Sequence, residues 1–214
     1  MESPVCNSIP DGTRLIETFG YWPGFGCARV DMHFVRMARS AAVLGYSFDE
    51  GRARMMVAAI DAAEAKRCRM TLDQTGAVEL ILAPMSASAV RWRVAIAQAQ
   101  LRSDDFWLQH KTTQRALYDQ ARADLPEGID ELLFVNERGE LCEGTITNVF
   151  LELDDGRMVT PALGCGVLPG VFRQEMLESG QVVEAIVSME DAACAARLWV
   201  GNSLRGLIPV DLVA

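Results

Sequence analysis

Between Asp31 and Gly45 apolar side chains recur at helical spacing, at Met32, Val35, Met37, Ala38, Ala41, Ala42 and Leu44, and the glycine closes the run. Around this helix the chain reads mainly as short strands cut by turn residues. A first strand in RLIETFGY ends near Tyr21 at the punctuation WPGFG, and a second helix runs from Phe48 to about Lys66. Three strands follow, RCRMTLD, AVELILAP and RWRVAIAQ, and with the two helices they predict an antiparallel sheet. LRSDDFWLQH is a polar connector. Helical periodicity resumes from Thr112 to about Ala123, until DLPEG stops it.

A domain boundary is placed just before Lys111, with residues 1–108 as a smaller N-terminal domain and 109–214 as a C-terminal one. Beyond the boundary come a strand at ELLFV, a turn at Glu137 to Gly139, and two further strands hinged at DDG. A helix starts near Gly170, followed by the strand VVEAIVS, the short helix MEDAACAA and the strands RLWVGN and LIPVDLV. No segment repeats another.

Half of the 214 residues are hydrophobic, enough for a substantial core, and the net charge of -9 argues against a surface that binds nucleic acid. No apolar stretch approaches bilayer length, and the N-terminus lacks a basic segment followed by an apolar run. No membrane partner is expected, and the chain reads as cytoplasmic. The six cysteines, Cys6, Cys27, Cys68, Cys142, Cys165 and Cys194, form no CxxC pair, and no histidine stands at zinc-ligand spacing, so no metal site is expected.

Three segments offer chemistry. HKTTQR presents a lysine with hydroxyls and an arginine at the head of the third helix, where Arg115 one turn away could keep the Lys111 amine partly neutral; a solvated helix start reads the same way. In CEGTITNVF, Glu143 stands at a turn leading into a strand, where a carboxylate serves a ligand or simply accepts loop amides. GCGVLPGVFRQEM carries a Pro-Gly step into a helix, whose first amides suit a phosphate, although a plain loop-to-helix junction looks alike.

Taken together and in order, these segments resemble the class IV pyridoxal phosphate (PLP) enzymes, the group of branched-chain and D-amino-acid aminotransferases and aminodeoxychorismate lyases. HFVRMARS matches the family's H-x-x-R-x-x-x-S helix, which implies that Arg36 binds the cofactor phosphate. HKTTQR is similar to the wording around the PLP-bearing lysine in lyase-like members and implies Lys111. The E-G step about thirty residues later implies Glu143 as partner of the pyridine nitrogen. LPGVFR resembles the phosphate cup, implying the amides of Val171 and Phe172, with Leu168 beside the ring, and GNS implies Asn202 and Ser203.

The resemblance runs from about Leu15 to Val213 and implies an α+β, two-domain fold of the D-amino-acid aminotransferase type (fold type IV), a homodimer, and a small-molecule amine substrate. The implied reaction is that of a lyase releasing pyruvate from 4-amino-4-deoxychorismate to give 4-aminobenzoate, a step of folate biosynthesis. An aminotransferase with a keto-acid acceptor and a non-catalytic PLP-binding member are the alternatives. Two features depart from the family. The extra strand and loop that precede the LIETFGY segment in full-length members are not expected in this sequence, and Gly20 stands where many relatives carry an arginine.

Overall fold

The computed structural model describes residues 9–86 and 89–213, so Cys6 and two residues of the MSASA loop, Ala87 and Ser88, lie outside the described residues. The chain divides into two compact units, one of Met1–Ala87 with His110–Gln114 and one of Ser88–Gln109 with Arg115–Ala214.

The first unit is built on an antiparallel sheet of β1 (Leu15–Trp22), β2 (Gly26–Cys27), β3 (Lys66–Leu72) and β4 (Val78–Pro84) in the order β2-β1-β3-β4. Helix α1 (Val30–Leu44) packs on β1. Its inward row is His33, Phe34, Arg36, Met37, Ser40, Ala41 and Leu44, the spacing of three and four that puts side chains on one helical face. Gly45 ends it with φ 71°, a conformation open to glycine without a Cβ penalty, and its N–H bonds back to the Ala41 carbonyl.

Helix α2 (Glu50–Ala58) opens with the Asp49 side chain accepting from the Arg52 amide. It stops well short of the expected Lys66, because Lys66 is already paired with Tyr21 on one side and Pro84 on the other. Sheet pairing overrides the helix propensity of the alanine-rich stretch before it.

The second unit holds β5 (Trp92–Ile96), β6 (Glu131–Val135), β7 (Leu141–Gly144), β8 (Asn148–Glu152), β9 (Met158–Pro161), β10 (Val183–Ala185), β11 (Arg197–Asn202) and β12 (Gly206–Leu212). Their order is β10-β9-β8-β11-β12-β5-β6-β7, and an added β7–β8 pairing closes six of them into a ring. Every strand of that ring contributes to one core: Trp92 and Val94, Leu133, Leu141, Val149 and Leu151, Val200, and Ile208 with Val210. Along a strand these residues alternate with ones facing the other way. Phe150, between Val149 and Leu151, instead packs with Phe172, Met176 and Val182. Helices α3 (Ala116–Ala123), α4 (Val171–Glu178) and α5 (Met189–Cys194) complete the unit.

RWRVAIAQ does not extend the first sheet: β5 runs parallel to both β12 and β6, and it places Trp92 and Val94 in the second core. Lys111 does not head a helix. Residues 110–114 run beside β1, with the Ile16 amide on the Lys111 carbonyl at 2.8 Å and the Thr113 amide on the Arg14 carbonyl at 2.9 Å, and α3 begins only at Ala116. No helix among the described residues is long and apolar enough to cross a membrane.

Candidate active site

The residues singled out in the sequence fall in both units. In the first unit, His33, Arg36 and Ser40 of the H-x-x-R-x-x-x-S helix all point inward, because steps of three and four residues keep them on one face of α1. Arg36 meets Glu17 of β1 twice, Nε to Oε1 at 2.8 Å and Nη2 to Oε2 at 2.5 Å. His33 Nδ1 also lies 2.5 Å from Glu17 Oε2. Burial holds the His33 ring below its ordinary basicity despite the opposing pull of Glu17, and its Nδ1–H donates, because an ionised carboxylate offers only acceptors. Among the charges acting on it is that of Lys111.

Ser40 lies 3.0 Å from His110 Nδ1, and burial, aided by Arg39, likewise lowers the basicity of His110. The residue ahead of Lys111 is thus tied to the same helix as Arg36. Lys111 itself is half-buried.

In the second unit Glu143 is part of β7 and not of a turn, pairing in register with Asn148 of β8. Its carboxylate is buried and receives three donors: the Tyr118 hydroxyl at 2.6 Å on Oε1, and on Oε2 the Leu168 amide at 3.0 Å and the Asn148 side-chain amide at 3.3 Å. Asn148 also donates to the Leu168 carbonyl at 3.0 Å. The E-G step and the L-P-G segment are therefore joined by hydrogen bonds.

Gly170 precedes α4 and, having no side chain, offers no cap to the first-turn amides, among them those of Val171 and Phe172. A Cβ at Gly170 would lie 1.9 Å from Asn148 Oδ1, so the close approach of the helix start to β8 requires glycine. Phe172 packs edge-on to Phe150 with ring centroids 5.8 Å apart.

Asn202 shapes a turn: its Oδ1 accepts the amides of Leu204 and Arg205 at 3.0 and 3.1 Å, and its Nδ2 donates to the Ile146 carbonyl at 3.2 Å. Ser203 beside it is buried.

Three polar residues of this region escaped the sequence reading. Glu17 stands in a core row between Leu15 and Phe19, where a charged residue facing a helical His-x-x-Arg pair was the available signal. Tyr118 sits on an amphipathic helix face, where a core role and a hydrogen-bonding role look the same. Glu131 is fully buried, and its carboxylate accepts the amides of Thr145 and Ile146 and the Thr147 hydroxyl, fixing the turn between β7 and β8.

Each unit by itself holds groups of the kind PLP takes: the second a buried carboxylate that suits a pyridine nitrogen and a helix start without a side-chain cap that suits a phosphate, the first an arginine and a lysine.

Residues 14–213 match the family model for amino-transferase class IV. A solved structure from Mesorhizobium loti, provisionally named an amino-acid aminotransferase, superposes with a TM-score of 0.89 at 45% identity, covering 94% of this chain and all of that one. A Schizosaccharomyces pombe protein provisionally named an aminodeoxychorismate lyase is 30% identical over 81% of this chain and 79% of its own length. One from Thermotoga maritima, provisionally named a branched-chain-amino-acid aminotransferase, is 25% identical over 83% of this chain and 69% of its own.

Proposed function

This chain belongs to the class IV aminotransferase family of PLP-dependent enzymes, and we propose that it works as a lyase, converting 4-amino-4-deoxychorismate to 4-aminobenzoate and pyruvate. It is an α+β protein of fold type IV. The observation that carries the cofactor reading is the bond from the Leu168 amide to Glu143 Oε2, which gathers two of the segments that resemble the family into one polar cluster next to an uncapped helix start.

When bound, PLP supplies an electron sink that makes the hydrogen on the substrate's amine-bearing carbon acidic. In this reading Lys111 is the covalent anchor and then the base that accepts that hydrogen. Glu143 holds a proton on the pyridine nitrogen. Arg36 and the amides of Val171 and Phe172 bind the phosphate, Leu168 packs beside the ring, and Ser203 closes the cup on the turn that Asn202 shapes.

The lyase reaction is supported by Gln114 and Arg115 after the lysine, which resemble lyase-like members, and by the S. pombe relative. The M. loti relative, at 45% identity, favours an aminotransferase as the second reading. Incubation with 4-amino-4-deoxychorismate, and separately with amino acids plus 2-oxoglutarate, separates them. Aromatic product formed without a keto-acid acceptor upholds the lyase, and turnover only in the second mixture overturns it.

The assembly we infer is a homodimer. Apolar side chains left exposed in the first unit support it, Val35 on α1, Met55 on α2 and Ile81 on β4 among them. Sedimentation at the mass of a single chain would sink that reading.

A further inference from the structure

Glu17 lies in the middle of β1, and Leu15 and Phe19, two residues to either side, are buried with it. A carboxylate in a row of core side chains is costly to desolvate and persists only when paired. Here the pairing is a fork. Nε and Nη2 of Arg36 each reach a different oxygen, and His33 Nδ1–H fills a further acceptor position on Oε2. Two parallel bonds fix the plane of a guanidinium as one bond cannot.

Stability alone is a weak account of such a cluster, since well-packed apolar side chains of similar volume often serve a core as well or better. What the fork provides is an arginine whose orientation is set before any anion arrives. The bonds to Glu17 use two of the five N–H donors of a guanidinium and direct one edge of the group at β1. Binding to a group already held in place loses less entropy than binding to a freely rotating one.

We propose that Glu17 is a positioning residue that sets the Arg36 guanidinium for a phosphate monoester, with His33 steadying the Glu17 carboxylate. The proposal rests on the reading of Arg36 as a phosphate ligand.

The test titrates the full chain, freed of cofactor, with PLP and with pyridoxal, which lacks the phosphate. Arg36→Ala is measured first and is expected to weaken PLP about tenfold or more while leaving pyridoxal within about twofold. If both weaken equally, Arg36 is not the phosphate ligand and the premise falls. With that premise standing, Glu17→Gln is expected to weaken PLP by about tenfold and pyridoxal little, so that the preference for PLP drops. An unchanged preference, whether neither ligand weakens or both weaken together, overturns the positioning role. Circular dichroism checks the fold. If Glu17→Gln does not fold, Glu17→Asp decides, because it keeps the charge but withdraws the carboxylate by one methylene. A smaller loss of the same preference upholds the proposal, and an unchanged one overturns it.

Discussion

The Tyr118 hydroxyl donates to Oε1 of Glu143 over 2.6 Å, while Oε2 of the same carboxylate takes the Leu168 amide and the Asn148 side chain. One carboxylate thus links α3, β7, β8 and the approach to α4. Burial first, then the neighbouring Glu143 charge, pushes the Tyr118 phenol far above its ordinary range, so it stays a donor at any pH the fold survives. Tyr118→Phe leaves Oε1 without that donor and is expected to cost about 1–3 kcal/mol, the usual penalty when a buried polar group loses its partner. A thermal melt of the variant reads this directly, and PLP absorbance should persist, because Leu168 and Asn148 still hold Oε2. An unshifted melting temperature would show that the bond carries no weight.

Lys111 is held by its backbone beside β1, and its side chain is not part of the buried core. Borohydride reduction of the PLP-loaded protein should therefore fix the cofactor on Lys111 and on no other lysine, as peptide mapping would establish. Lys111→Ala should fold normally and lack the label, since the change removes a nucleophile and leaves the backbone pairing intact. Label recovered on Lys66 would end the assignment.

Much of this arrangement was legible in the sequence because local chemistry dictated it. The apolar period of three and four drew α1, and Gly45 ended it where expected. The Pro-Gly step placed the start of α4 within a residue. What was not legible depends on pairing between distant segments. Thr112 and Thr113 carry the hydroxyls of a helix start, yet their backbone is taken by Arg14 and Leu15, about a hundred residues away in the chain. Likewise Trp92, Val94 and Ile96 alternate as any strand does, and nothing in that alternation says which sheet they join. Glu143 stands out in the sequence only through motif wording. Its donors Tyr118 and Asn148 do not, because a tyrosine on a helix and an asparagine opening a strand are ordinary until the carboxylate is seen between them.

The Glu17 cluster predicts a specific acid sensitivity. Burial pushes the Glu17 carboxyl up, but the charges and hydrogen bonds of Arg36 and His33 together outweigh it and bring the group from 4.5 to about 2. Between those values the unfolded chain binds a proton that the native protein refuses. The stabilisation is therefore complete above pH 4.5 and is lost as the pH falls toward 2. The amount is on the order of 3 kcal/mol for a shift of this size. His33 and His110, whose basicity is lowered mainly by burial, lose their contributions in a higher window, from about 6.5 downward. Denaturant melts of wild type and Glu17→Gln at pH 6, 4 and 3 isolate the Glu17 part as the gap between the two curves. That gap should narrow below pH 4.5, and a constant gap would mean that Glu17 titrates alike in the native and the unfolded protein.

Glu143→Gln separates a catalytic carboxylate from one that only braces the fold. The glutamine is nearly isosteric: its carbonyl can still accept the Leu168 amide, and its NH2 can donate to the Tyr118 oxygen, which accepts as well as donates. The fold and the cofactor should thus be retained, at a cost of roughly 1 kcal/mol. What the amide cannot do is balance a proton on the pyridine nitrogen, so the bound ring becomes a poorer electron sink and hydrogen removal by Lys111 should slow roughly a hundredfold or more. If Glu143 merely satisfied the amide of Leu168 and the hydroxyl of Tyr118, the same substitution would lower the melting temperature slightly and leave turnover per loaded molecule almost untouched. Cofactor absorbance, a thermal melt and a single-turnover rate on this one variant distinguish the two cases. A folded, PLP-loaded variant that turns over at the wild-type rate would remove Glu143 from the chemistry.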